Sequence, residues 1–264
     1  MIKNIEPSWI RSLQKKKQDY SNHRHTGKNA ERSDLINKVS ASFLGTPYQG
    51  ETLISFPNRD EMLVVNFNGV DYFAFIDYVE ALTRATNRKT FLNSFAKTRY
   101  VKENVTLFNR KHFFSDWFAT FPRNAMDVTQ AVSPDAITVT RQLNSKADGE
   151  YIPGLGIPSR KISYIPASAI NEQVIGNLKS SDYIGVYSDL QGPDVTHVGI
   201  VIKENGKVWY RNASSLSGNI KVIDTPFTVF MSNKPGIIVL HAKQTLLMVC
   251  CTLVRSLINR KSLK

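Results

Sequence analysis

The chain has 264 residues, 42% hydrophobic and 10% aromatic, enough to bury a core and too apolar for a disordered or collagen-like chain. It carries 34 Lys and Arg against 22 Asp and Glu, a formal charge of +12, but residues 1–40 and 241–264 hold +5 each, leaving +2 between them. A nucleic-acid binder shows its basic stripe on the folded body, so charge gathered at the two ends argues against a nucleic-acid partner.

Residues 1–32 read as a basic, polar lead-in, with His23 and His25 solvated rather than ligating a metal. Met1–Tyr20 lacks the apolar stretch of a secretory signal. The longest near-apolar run, Leu246–Val254, falls far short of the ~20 residues that span a bilayer. Taken as written, the chain stays in the cytoplasm. Its two cysteines, Cys250 and Cys251, are adjacent and without partners elsewhere, so neither a disulfide framework nor a cysteine zinc site is expected. No metal and no cofactor is expected.

A helix is predicted over Ser33–Phe43, then turns at Gly45–Pro47 and Phe56–Asp60 and a short strand over Glu61–Asn66. From Asp71 to Ala85, Phe75, Ile76, Val79 and Leu82 recur at helical spacing behind Asp71, a good N-cap. A second helix follows around Lys89–Lys97. Lys111–Phe121 is dense in aromatics, and Thr129–Pro166 reads as a long polar loop containing Gly149, Pro153, Gly154, Gly156 and Pro158. Strands then succeed one another at Tyr183–Tyr187, His197–Lys203, Val208–Asn212, Ile220–Ile223 and Gly236–Leu240. Helices first and an antiparallel sheet second define an α+β fold. In the tail, Leu246, Cys250, Leu253 and Leu257 share a helical face beside basic residues, a pattern that suits a membrane surface, a partner, or docking on the core.

Asn205-Gly206, between apolar runs, signals a two-residue type I′ hairpin. The implied register sets Lys203 opposite Val208 and Gly199 opposite Asn212, which makes His197 and Asn212 diagonal neighbours on one face. Gly199 is expected to leave the space between them empty. An amide that orients an imidazole is what a cysteine hydrolase needs for its base; a packing histidine bonded to a nearby amide fits the same pattern.

Leu44–Gly50 (L-G-T-P-Y-Q-G), Val70–Leu82 (V-D-Y-F-A-F-I-D-Y-V-E-A-L) and Asp194–Ile202 (D-V-T-H-V-G-I-V-I) together resemble the NlpC-type, papain-like peptidoglycan hydrolases. Within that superfamily the likeness is to the N-acetylmuramoyl-L-alanine amidase-like family. Leu63–Phe67, Arg110–Trp117, Asn212–Ser215 and Lys234–Leu240 match in the same order. The resemblance spans residues 33–242 as one domain, leaving 1–32 as lead-in and 243–264 as a basic amphipathic tail.

It implies a papain-like core, with N-terminal helices packed on an antiparallel sheet, acting at the cell envelope on peptidoglycan fragments or another peptide substrate. His197 falls on the general-base position, Asn212 on the residue that orients it, and Tyr48 and Asp71 beside the nucleophile, where the resemblance implies that they contact the substrate. The nucleophilic cysteine belongs directly after Asp71, where this chain has Tyr72. The resemblance therefore implies an amidase or endopeptidase domain that is inactive as written, or a module that holds muropeptide without cutting it. In the cluster Arg110, Lys111, His112, Ser115, Asp116 and Trp117, Asp116 is the leading candidate for a substrate contact. Inward packing of Phe113, Phe114, Trp117 and Phe118 on an amphipathic helix is the competing reading.

Overall fold

The computed structural model describes residues 28–53 and 60–243. Most of the lead-in (with His23 and His25), most of the turn read at Phe56–Asp60, and the tail with Cys250 and Cys251 lie outside the described residues.

The first helix, α1, runs Lys28–Ala41. The second, α2, spans Tyr72–Arg84, and Asp71 Oδ1 accepts the backbone N–H of both Phe73 and Ala74 to cap it. Phe75, Ile76, Val79 and Leu82 are all buried, each burial contributing roughly 2 kcal/mol. Helix α3, Arg88–Arg99, begins with a reciprocal capping box between Asn87 and Thr90 and packs its Phe91 and Phe95 against the same core.

The remaining elements are α4 (Asp116–Ala119), β1 (Ala125–Asp127), α5 (Thr129–Val132), β2 (Ile137–Gln142), β3 (Ser145–Lys146), β4 (Gly149–Glu150), β5 (Ser159–Pro166), α6 (Glu172–Asn177), β6 (Tyr183–Tyr187), β7 (Val195–Glu204), β8 (Lys207–Ser214), β9 (Lys221–Pro226), α7 (Phe227–Met231) and β10 (Gly236–Ala242). Among the described residues the main sheet runs β2-β5-β10-β6-β7-β8-β9, antiparallel throughout, with β1 added to β10. One face of the sheet packs on the helices α1 to α3, and the other carries a smaller core around Val186, Tyr210 and Phe227. The fold is α+β, with helices leading an antiparallel sheet.

Three expectations are corrected. Glu61–Asn66 is not a strand: no neighbouring strand pairs with it, and the Tyr78 hydroxyl takes up the Asn66 N–H at 2.9 Å. Thr129–Pro166 is not one loop, because β2 and β5 pair across it from Ile137–Tyr164 to Gln142–Ser159. The glycines that suggested a loop lie in the connection between these strands, where Gly149, Gly154 and Gly156 take positive φ. Lys111–Phe121 is helical only over Asp116–Ala119, although Phe114 and Trp117 are fully buried and Phe113 and Phe118 pack against the core.

Candidate active site

Asn205 and Gly206 both take positive φ, 51° and 71°, as a type I′ turn requires. The β7–β8 ladder pairs Lys203 with Val208 and Ile200 with Arg211, the register read from the turn. His197 Nε2 and Asn212 Oδ1 consequently meet at 2.9 Å. The gap at Gly199 is not empty, however. A side chain there would come within 2.6 Å of both the Tyr210 ring and the Arg211 carbonyl, so the space belongs to Tyr210. A β-bulge sits beside the histidine, since Val186 pairs with His197 but Tyr187 with Val195. Such irregularities re-aim a side chain next to a site.

Asn212 is fully buried, and its Nδ2 donates to the Tyr210 carbonyl at 3.2 Å. This fixes the amide with Oδ1 toward the ring, so His197 Nε2 carries the proton and Nδ1 is left as the basic nitrogen. Burial pushes the His197 pKa down to about 4; the bond to Asn212 opposes this and the Lys234 charge adds to it. At neutral pH the imidazole is therefore uncharged and able to accept a proton.

Tyr72 opens α2, and its ring centroid lies 4.8 Å from that of His197. Burial, with Asp71, Tyr48 and Asp194 behind it, raises its phenol above the ordinary value, so the hydroxyl stays protonated. Tyr48 is held by backbone bonding to Val70 and by its N–H on the Ile220 carbonyl. Tyr48, Asp71 and Tyr72 line one cleft of about 500 Å³. Its lining carries charges of both signs: Glu51, Asp71 and Asp77 with Arg99, Arg110 and Lys111, and His112 beside them. Arg99 Nε bonds Asp77 Oδ2 at 2.8 Å and Arg110 bonds Glu61 at 3.0 Å. Lys111 instead sits on three neutral oxygens, of Pro122, Asn124 and Lys97, and burial lowers its pKa to about 8.

The structure places Tyr48, Asp71 and Tyr72 on one cleft, sets the Tyr72 ring against His197, and bonds His197 to Asn212. Asp116 is different. It does not line the cleft, it is buried, and its carboxylate bonds Arg160 at 2.7 Å and the Phe113 N–H at 3.0 Å. It anchors the aromatic segment to β5 instead of facing a ligand. Asp194, which the sequence did not single out, accepts the N–H groups of Phe114 and Ser115 from a buried position at the start of β7. Among the described residues no cluster of three or more His, Cys, Asp or Glu is placed to hold a metal ion. No helix there is long and apolar enough to cross a membrane.

The model of the AmiA-like, N-acetylmuramoyl-L-alanine amidase-like family matches residues 38–237, three quarters of the chain. The chain belongs to this family. An N-acetylmuramoyl-L-alanine amidase of known structure from Bacteroides uniformis is similar at TM-score 0.69 and 23% identity, covering 81% of this chain and 99% of that one. A protein from Legionella pneumophila is similar at TM-score 0.70 and 18% identity, covering 89% and 94% respectively. At these identities the likeness concerns the fold. No curated protein matches the chain. The matched region of this amidase-like protein includes every residue of the His197–Asn212 hairpin and of the cleft.

Proposed function

We propose that residues 33–242 form a papain-like, NlpC-type domain of the peptidoglycan amidase and endopeptidase kind, with the nucleophile position occupied by Tyr72 and therefore no cutting activity as written. The observation that carries this reading is the contact of the Tyr72 ring with His197, whose other side is held by Asn212 at 2.9 Å. A cysteine at position 72 would stand at the start of a helix, where the dipole and free N–H groups depress a thiol pKa. Its thiolate would attack an amide carbonyl while His197 Nδ1 took up the thiol proton and returned it to the leaving amine. Water would then release the acyl group. Tyr72 offers a protonated phenol farther from its backbone, and an aryl ester in place of a thioester.

A second reading is a module that holds muropeptide without cutting it. It is favoured by the cleft of about 500 Å³ that remains beside Tyr48 and Tyr72, lined by charged side chains of both signs. In both readings the ligand is a peptidoglycan fragment or a related peptide.

The test is a muropeptide digest followed by mass spectrometry, with the wild-type chain beside Tyr72→Cys and Tyr72→Cys/His197→Ala. Cleavage by Tyr72→Cys alone is expected. Cleavage by the wild type in a His197-dependent way would overturn the proposal, and silence from all three variants would favour the binding module.

A further inference from the structure

Tyr72, His197, Phe230 and Lys234 are all partly exposed and form a row of successive contacts. The Tyr72 ring is 4.8 Å from His197, His197 is 5.9 Å from the Phe230 ring, and the Lys234 ammonium is 5.2 Å from the centroid of Phe230. Phe230 is fixed by the buried Tyr210 ring at 4.6 Å. Lys234 is presented by a turn closed by its own N–H on the Met231 carbonyl, just before β10. Among the described residues its ammonium has no carboxylate within bonding distance; its neighbour is an aromatic face.

We propose that Lys234, carried on Phe230, recognises a carboxylate on the leaving half of an acidic peptide substrate. This rests on the function proposed above. The base must hand its proton to the leaving amine, so the leaving half lies on the His197 side of position 72. There the row of rings offers apolar surface to a peptide and ends in an unpaired cation. A half-buried ammonium over an aromatic face is weakly satisfied, whereas a carboxylate gives it a charge-assisted hydrogen bond. The titratable groups around His197 on this side are the ammonium of Lys234, which is charged, and the phenols of Tyr72 and Tyr210, which burial keeps neutral. A bound carboxylate would therefore cancel the one positive charge that holds His197 protonation down, and substrate binding would make the base stronger.

The experiment compares muramoyl-L-alanyl-D-glutamate with its diamide, in which both carboxyls are carboxamides, by calorimetry and by titration of the His197 ring signals. The full chain is used as wild type, Lys234→Gln and Lys234→Arg. Tyr72→Ala, which cannot cut, repeats the comparison with the ring removed from the path of the ligand. The acid is expected to bind about tenfold more tightly than the diamide, Lys234→Gln to erase that difference, and Lys234→Arg to restore it. The His197 pKa should rise on binding the acid in the wild type and not in Lys234→Gln. Equal binding of acid and diamide, or a preference that survives Lys234→Gln, overturns the inference and leaves the muropeptide reading standing. Failure of both ligands to bind wild type and Tyr72→Ala overturns that reading itself.

Discussion

His197 and Asn212 are fifteen residues apart in the chain and 2.9 Å apart in the fold, joined by a bond from the imidazole Nε2 to the amide Oδ1. Replacing Asn212 with Ala leaves a largely buried N–H without its acceptor, a loss of about 1–3 kcal/mol. Chemical unfolding should show that loss, and nitrogen chemical shifts of the ring should show that one tautomer is no longer favoured.

The acid response of the protein should carry the signature of the same histidine. Its pKa is about 4 in the fold against ~6.5 in the unfolded chain. As pH falls, the unfolded chain takes up the proton first, so the contribution is complete above ~6.5 and is lost as pH falls through about 4. We expect about 3 kcal/mol of acid sensitivity across that window. It should be absent from His197→Gln, as read from urea midpoints at a series of pH values.

Gly199 admits no side chain. Because a Cβ there would meet the Arg211 carbonyl and the Tyr210 ring at 2.6 Å, Gly199→Ala should cost about 1–3 kcal/mol through overpacking. The displaced Tyr210 should also disturb the His197 ring signals, and a variant with unchanged thermal midpoint and spectrum would refute this account of the glycine.

Asp116 should behave as an anchor. Asp116→Ala leaves the Arg160 guanidinium only the Ser115 hydroxyl, and loss of this partly buried partner should cost about 1–3 kcal/mol. Ligand affinity of the surviving folded fraction should stay that of the wild type. Reduced affinity at unchanged stability would return Asp116 to the list of ligand contacts.

Asp71→Ala removes the acceptor of the Phe73 and Ala74 N–H groups. A loss of about 1 kcal/mol is expected from the cap alone, measurable as a lower denaturant midpoint with an unchanged slope.

What could be read in advance was what depends on neighbours in sequence. The stripe of Phe75, Ile76, Val79 and Leu82 and the cap at Asp71 specify α2 locally, and Asn205-Gly206 specifies the β7–β8 register through the positive φ of both residues. The sheet edge was hidden because β2 and β5 alternate weakly and are joined by a glycine-rich connection, so only tertiary pairing reveals them. The pairing of Asp116 with Arg160 was not legible, because the two are 44 residues apart in the chain. Phe230 gave no signal because its contact with His197 joins the helix after β9 to the start of β7, a tertiary contact that local pattern does not reveal.

Arg211, the residue before Asn212, is buried, and besides Asp224 it bonds the backbone and side-chain oxygens of Asn37 and the hydroxyl of Ser40 on α1. Arg32, on the same helix, reaches the buried Glu80 at 2.7 Å. The first helix is thus stitched to the strand that carries the orienting amide and to the middle of α2. For anyone trimming the chain, a cut at residue 38, where the family match begins, would remove Arg32 and Asn37 and leave Arg211 only the Ser40 hydroxyl on this helix. A piece that keeps every one of these contacts starts ahead of Arg32.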